Sequence, residues 1–188
     1  MNRKKALKQV KLTRTMASIE ADKKRYSSYI KISLEKGAFE AKIISASSIK
    51  TAAWTRLRCQ YGCSNYGTNL CCPPFSPTSE ETQKVIDEYS YALLVNFRSI
   101  TDAKKIAPEI EKALFLDGRY KSFSFKGGSC GLCEKCNLKT CVHPTQARPS
   151  MEGAGIDVYE TVRRNGFSIN VLNNKESQGS FFGLILIE

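Results

Sequence analysis

Cys130-Gly131-Leu132-Cys133-Glu134-Lys135-Cys136 sets three thiols at successive three-residue steps, and Cys141 follows with Pro144 close behind. Thiols spaced in this way in a glycine-containing loop can wrap one small object, with the fourth reaching its remaining corner. A cubane iron–sulfur cluster has four iron corners, each wanting a thiolate, and a C-x2-C-x2-C-x3-C-P run supplies them. Here the run is C-x2-C-x2-C-x4-C-x2-P. The last interval is one residue longer and the proline comes two residues later. In proteins with two clusters the fourth cysteine of such a run serves the other cluster, so placing Cys141 with Cys130, Cys133 and Cys136 is an inference.

The chain has eight cysteines, and the other four also lie together, as Cys59-x3-Cys63-x7-Cys71-Cys72-Pro73-Pro74. Two other chemistries compete. A disulfide framework belongs chiefly to small secreted domains, and the N-terminus shows no apolar signal segment. Zinc is the stronger competitor, because four thiolates also suit a tetrahedral structural site. Zinc sites usually pair two separate C-x2-C knuckles across a longer gap, whereas unbroken x2 steps are the ferredoxin habit. The expected cofactor is therefore one or two iron–sulfur clusters of the 4Fe–4S type, with zinc as the alternative.

The expected domain organisation is a basic, flexible arm over residues 1–15 and a single metal-binding domain over residues 16–188. A hydrophobic fraction of 41% supports a real core. The longest apolar runs, at Tyr91–Val95 and Phe181–Ile187, fall short of the ~20 residues a membrane helix needs. No membrane partner is expected, and thiols gathered for metal suggest a reducing cytoplasm. The net charge of +11 is concentrated in residues 1–50, where 13 Lys/Arg face 4 Asp/Glu. A basic arm can neutralise phosphates or dock on an acidic partner. No recognised nucleic-acid motif accompanies the charge, so a solvated face is the favoured explanation of it; the expected partner is a redox protein, with nucleic acid the less favoured one.

Periodicity supplies the elements that must position the thiols. Met16–Lys36 reads as a helix stopped by Gly37, and Ala38–Ser45 as a strand. Thr51–Arg58 reads as a second strand delivering Cys59. Cys59–Pro77 is a long irregular segment that a metal could order. Thr78 with Glu81 forms a capping box for a helix to about Tyr89. Tyr91–Phe97 is a buried strand. A helix follows over Thr101–Leu116, its main body begun at Pro108. Lys121–Lys126 is a strand leading into Cys130. Pro149–Asn165 reads as a helix, and Phe167–Leu172 with Phe181–Ile187 as a hairpin. Such alternation predicts an α/β fold (or α+β): a mixed sheet flanked by helices, with both cysteine loops near one sheet edge.

Five stretches together carry a resemblance. They are Cys59–Cys63, Cys72–Pro77, Gly127–Cys136, Cys141–Pro144 and Arg148–Val158. Over roughly Glu35–Glu188 the chain resembles a family of cysteine-rich, predicted metal-binding proteins of unknown function from anaerobic bacteria and archaea. The resemblance implies a metal or iron–sulfur protein and no established reaction. The family has a single cysteine before Pro-Pro, matching Cys72, so Cys71 is a local extra. Val142 stands where the family often has arginine.

That extra cysteine bears on mechanism. With Cys59, Cys63 and Cys72 alone, a cubane would keep one iron without a protein thiolate, open to substrate and to Lewis-acid or redox chemistry. With Cys71 or His143 as fourth ligand the site is closed and suits electron transfer. Whether the chain is an enzyme stays open at this point. Neighbouring side chains diverge, so Cys71 could instead be a small apolar packing residue. His143, the only histidine, could ligate or hydrogen-bond within the loop. Lys126, Lys135 and Lys139 flank thiols and could raise a cluster's potential. Arg56, Arg58 and Arg148 are solvated or anion-binding. Gly153-x-Gly155 lacks the context of a nucleotide site and suits close packing.

Overall fold

The structure is a computed structural model that describes residues 24–171 and 179–188. The expected arm, and the start of the helix expected from Met16, lie outside the described residues.

Strand β2 (Tyr91–Phe97) is buried along its whole length. Side chains alternate across a strand, so Ala92 and Leu94 enter one core while Leu93, Val95 and Phe97 enter the other. Apolar demand on both faces requires a layer on each side. With β1 (Glu40–Ser45), β3 (Phe123–Phe125) and β4 (Phe181–Leu186) it forms a sheet in the order β1-β2-β4-β3. Every neighbouring pair is antiparallel.

On one face lie α1 (Ser27–Glu35) and α4 (Ile100–Leu116), the latter burying Ala103, Ile106, Ala107, Ile110 and Leu114. The other face is covered by residues 151–169. There Met151, Ala154, Ile156, Val162 and Phe167 pack with Ile86 of α3 (Ser79–Ile86) on Leu94, Leu184 and Leu186. Helices α2 (Trp54–Gly62) and α5 (Val158–Arg164) and a short 3-10 helix (Ala46–Ser48) complete the described elements. Helices on a sheet are as expected, in the α+β form. Among the described residues no helix is long and apolar enough to cross a membrane.

Several local expectations are corrected. The sheet is antiparallel throughout rather than mixed. Residues 54–62 are helical, not a strand, and only Thr55 of that helix is buried. A helix with no apolar stripe leaves little periodic signal. Pro108 sits inside α4 rather than opening it; the buried stripe crosses the proline without a break, and Ser99 caps the start by accepting from the Asp102 N–H at 3.1 Å. Residues 167–171 form no strand, because β4 already has β2 and β3 as its two neighbours. Residue 172 of the expected strand and residues 173–178 of the expected hairpin loop lie outside the described residues.

The helix expected over 149–165 begins only at Val158, capped by Asp157, which accepts from the Glu160 N–H. Before it, residues 150–156 form a clasp of turns. Ala52 N–H donates to the Gly155 carbonyl at 2.8 Å and Asp157 N–H to the Lys50 carbonyl at 2.8 Å. Ser76 Oγ donates to the Gly153 carbonyl and Thr82 Oγ1 to the Ala154 carbonyl, both at 2.6 Å. Gly155 has φ +81°, and a Cβ there would stand 2.6 Å from Ser79 Cα. Gly155→Ala combines a disfavoured backbone with a clash against backbone atoms. It should lower stability by about 2–3 kcal/mol in a urea titration.

Candidate metal centre

Two segments carry the thiols, and the clasp joins them. Cys59 stands on α2 and Cys63 caps it. Asn69 then turns the chain, its Oδ1 accepting from Cys71 N–H at 3.2 Å and its carbonyl from Cys72 N–H at 3.1 Å. The second segment leaves β3 and returns at Ser150. Its base is closed by Lys126 N–H donating to the Pro149 carbonyl and Met151 N–H to the Lys126 carbonyl, each at 3.0 Å. Arg148 anchors its end on Glu111 of α4 through a two-pronged ion pair at 2.5 and 2.7 Å. Glu111 also accepts from Ser124 N–H and Oγ of β3.

The eight thiols fall into two sets. Cys130, Cys133, Cys136 and Cys141 line a small cavity of about 20 Å³, and Cys71 and His143 line it with them. That volume is about one water molecule's worth. Cys59, Cys63 and Cys72 line a second cavity of about 340 Å³. Cys71 and Cys72, adjacent in sequence, thus serve opposite cavities. Cys71 and His143, weighed as a fourth ligand for the 59–72 set, both stand at the 130–141 set. Among the described residues no three His, Cys, Asp or Glu side chains converge on one ion position; the sulfurs surround space rather than a point.

A family model described as "Predicted metal-binding protein (DUF2284)" matches residues 42–187. The chain belongs to that family. The match takes in both cysteine segments and the clasp between them. No curated protein and no solved structure matches the chain. For a DUF2284 protein the donor chemistry is the informative quantity: the smaller cavity has thiols, one imidazole and no carboxylate. Soft thiolates of this kind select iron–sulfur clusters, zinc or cuprous copper over hard cations, so the residues present fit a cluster or zinc.

The charges around the thiols favour metal-ready thiolates unevenly. The Cys71 thiol donates to Cys130 and, against the cost of burial, the Leu132 N–H and the Lys126 ammonium join it, bringing Cys130 down to about 5. Cys71 is raised, by that same hydrogen bond first and by burial second. Burial raises Cys59 and Cys72. Lys126 is only 1% exposed, and its Nζ donates to the Cys130 carbonyl at 2.8 Å. Burial lowers its pKa, while Cys130, Cys71 and Cys72 pull it back up. The sequence placed Lys126 only beside the 130–141 thiols; the fold buries it and brings it near Cys72 of the other set as well. Lys135 and Lys139, by contrast, are exposed.

Other sequence candidates take structural roles. Arg56 donates to the carbonyls of Ser76, Pro77 and Gly153, and Arg148 is committed to Glu111. Arg58 is exposed. The His143 carbonyl accepts from Gln146 and Ala147 N–H groups; its imidazole makes no hydrogen bond among the described residues. Sequence reasoning missed Lys104, Ser129, Ser150 and Glu152 on the larger cavity. Ser129, Ser150 and Glu152 lie within the stretches that carry the resemblance, but only the fold brings them beside Lys104 of α4.

Proposed function

We propose that the chain is an iron–sulfur protein with two 4Fe–4S centres that passes electrons to or from a redox partner protein. Cys130, Cys133, Cys136 and Cys141 would hold a closed centre, and Cys59, Cys63 and Cys72 an open one. The observation that carries the reading is the divergence of Cys71 and Cys72, which leaves three thiols on the larger cavity. A bound cluster exchanges single electrons at a potential set by charge and by hydrogen bonds to its sulfurs, and an iron lacking a protein thiolate accepts an outside ligand. Cys71 donates to the Cys130 sulfur, and Lys126 supplies positive charge to both centres. The closed set must spread to admit a cubane. Its loop carries neither helix nor strand to resist that.

A second reading has one observation in its favour. A cavity of about 20 Å³ suits one zinc ion better than a cubane in its present form. In that case the chain is a zinc-stabilised module, and its basic N-terminal segment is the candidate contact with nucleic acid. Colourless, zinc-replete protein without sulfide would support it.

The division of labour is tested by Cys72→Ala and Cys71→Ala in anaerobically prepared protein. Cys72→Ala should lose about half the iron, the share of one of two like clusters. Cys71→Ala should keep its iron and shift the potential of one centre, because only a hydrogen bond to a ligating sulfur is removed. Equal iron loss in the two variants would show that the adjacent thiols do not serve different centres.

A further inference from the structure

The larger cavity has more than thiols on its walls. At about 340 Å³ it falls within the range of small-ligand sites. Lys104 of α4, Ser129 and Glu152 line it together with Cys59, Cys63 and Cys72. The Lys104 side chain lies over Gly128: a Cβ there would meet its Cε at 3.2 Å, and one at Gly131 would meet its Nζ at 3.8 Å. Among the described residues, no carboxylate pairs with Lys104 and no hydrogen bond engages the Ser129 hydroxyl, while the Glu152 carboxyl has only a backbone N–H beside it and no side-chain partner. The Glu152 carboxyl is ringed by protein, and burial raises its pKa. Its side chain nevertheless remains solvent-exposed, so the ring counts for less than full burial would.

We infer that this cavity binds a small carboxylic acid carrying a hydroxyl or amino group. The ligand carboxylate meets Lys104 and Ser129, and the donor group meets Glu152. The inference rests on the open three-thiol set proposed above and names what enters it. One ammonium matches one carboxylate. A phosphate dianion would face the Glu152 carboxylate and three potential thiolates, and the arginines able to fork it are taken: Arg56 by carbonyls and Arg148 by Glu111. A purely apolar guest would leave Lys104 and Glu152 desolvated without partners, which costs free energy. A bipolar acid satisfies both ends and lies along the thiol wall.

The test is calorimetric titration of anaerobically prepared protein with L-serine, glycolate, acetate and ethylamine, with metal content measured on the same samples. L-serine and glycolate should bind at least tenfold more tightly than acetate or ethylamine. Lys104→Met should weaken L-serine, glycolate and acetate by tenfold or more. Glu152→Gln should weaken L-serine while leaving acetate unchanged. The inference is overturned if neither bifunctional acid exceeds acetate, or if both variants bind as the parent does. Because heat of binding is read independently of metal, the two ideas separate: metal retained without selective binding defeats this inference alone. Selective binding in protein whose Cys72→Ala variant loses no metal defeats the two-centre reading instead.

Discussion

Serine at both Cys133 and Cys136 is expected to empty the 130–141 set and leave the 59–72 set loaded. The thiolate is the metal ligand, and a serine hydroxyl does not ionise at neutral pH, so the double variant removes two of four donors from one centre. Both residues lie in the loop between β3 and the clasp and belong to neither core. The metal-free fold should therefore change little, within the ~0.5 kcal/mol typical of substitutions away from core and networks. Metal analysis beside circular dichroism separates the two effects. Unchanged metal in a folded double variant would remove the assignment of these thiols.

The second large effect concerns the anchor of the same loop. Arg148 and Glu111 have side chains 14% and 10% exposed, so Arg148→Met leaves a carboxylate nearly buried with no cation. Removing one partner of a buried pair costs ~3–5 kcal/mol. At ~1–3 kcal/mol per molar of urea, the midpoint should fall by ~1–5 M. The charge, rather than the contact, causes most of that loss. Adding Glu111→Gln keeps an oxygen to accept from Ser124 and removes the stranded charge, so the double variant should recover at least half. A double variant as unstable as Arg148→Met alone would mean that guanidinium packing, including its contact over the Phe123 ring, matters more than charge.

What the sequence revealed followed local physics. The capping box at Thr78 and Glu81 is present with both of its hydrogen bonds, at 2.8 and 3.2 Å, because its signal is contained in four residues. Strand β2 was legible because burial on both faces leaves an unbroken apolar run. The 130–141 thiol spacing was legible for the same reason: a loop that wraps an object writes its steps in sequence.

The remainder depended on contacts between distant segments. Insertion of β4 between β2 and β3 makes the sheet antiparallel and deprives residues 167–171 of a strand partner, and no local pattern announces either. The turns at 150–156 exist because Gly155 must lie against Ser79, a constraint that a helical pattern of apolar residues conceals. Lys126 looked like one more loop cation; only the fold shows it buried between the two thiol sets. The parting of Cys71 from Cys72 likewise reflects the turn at Asn69, and it changes Cys71 from an extra residue into a neighbour of Cys130.

The central claim is that seven of the eight thiols hold two multinuclear centres. It is tested most directly by measuring iron, acid-labile sulfide and zinc per chain on protein purified without oxygen, with a visible spectrum. Two cubanes require about eight irons and eight sulfides and a coloured sample that bleaches on reduction. Stoichiometric zinc, no sulfide and a colourless sample would contradict the account.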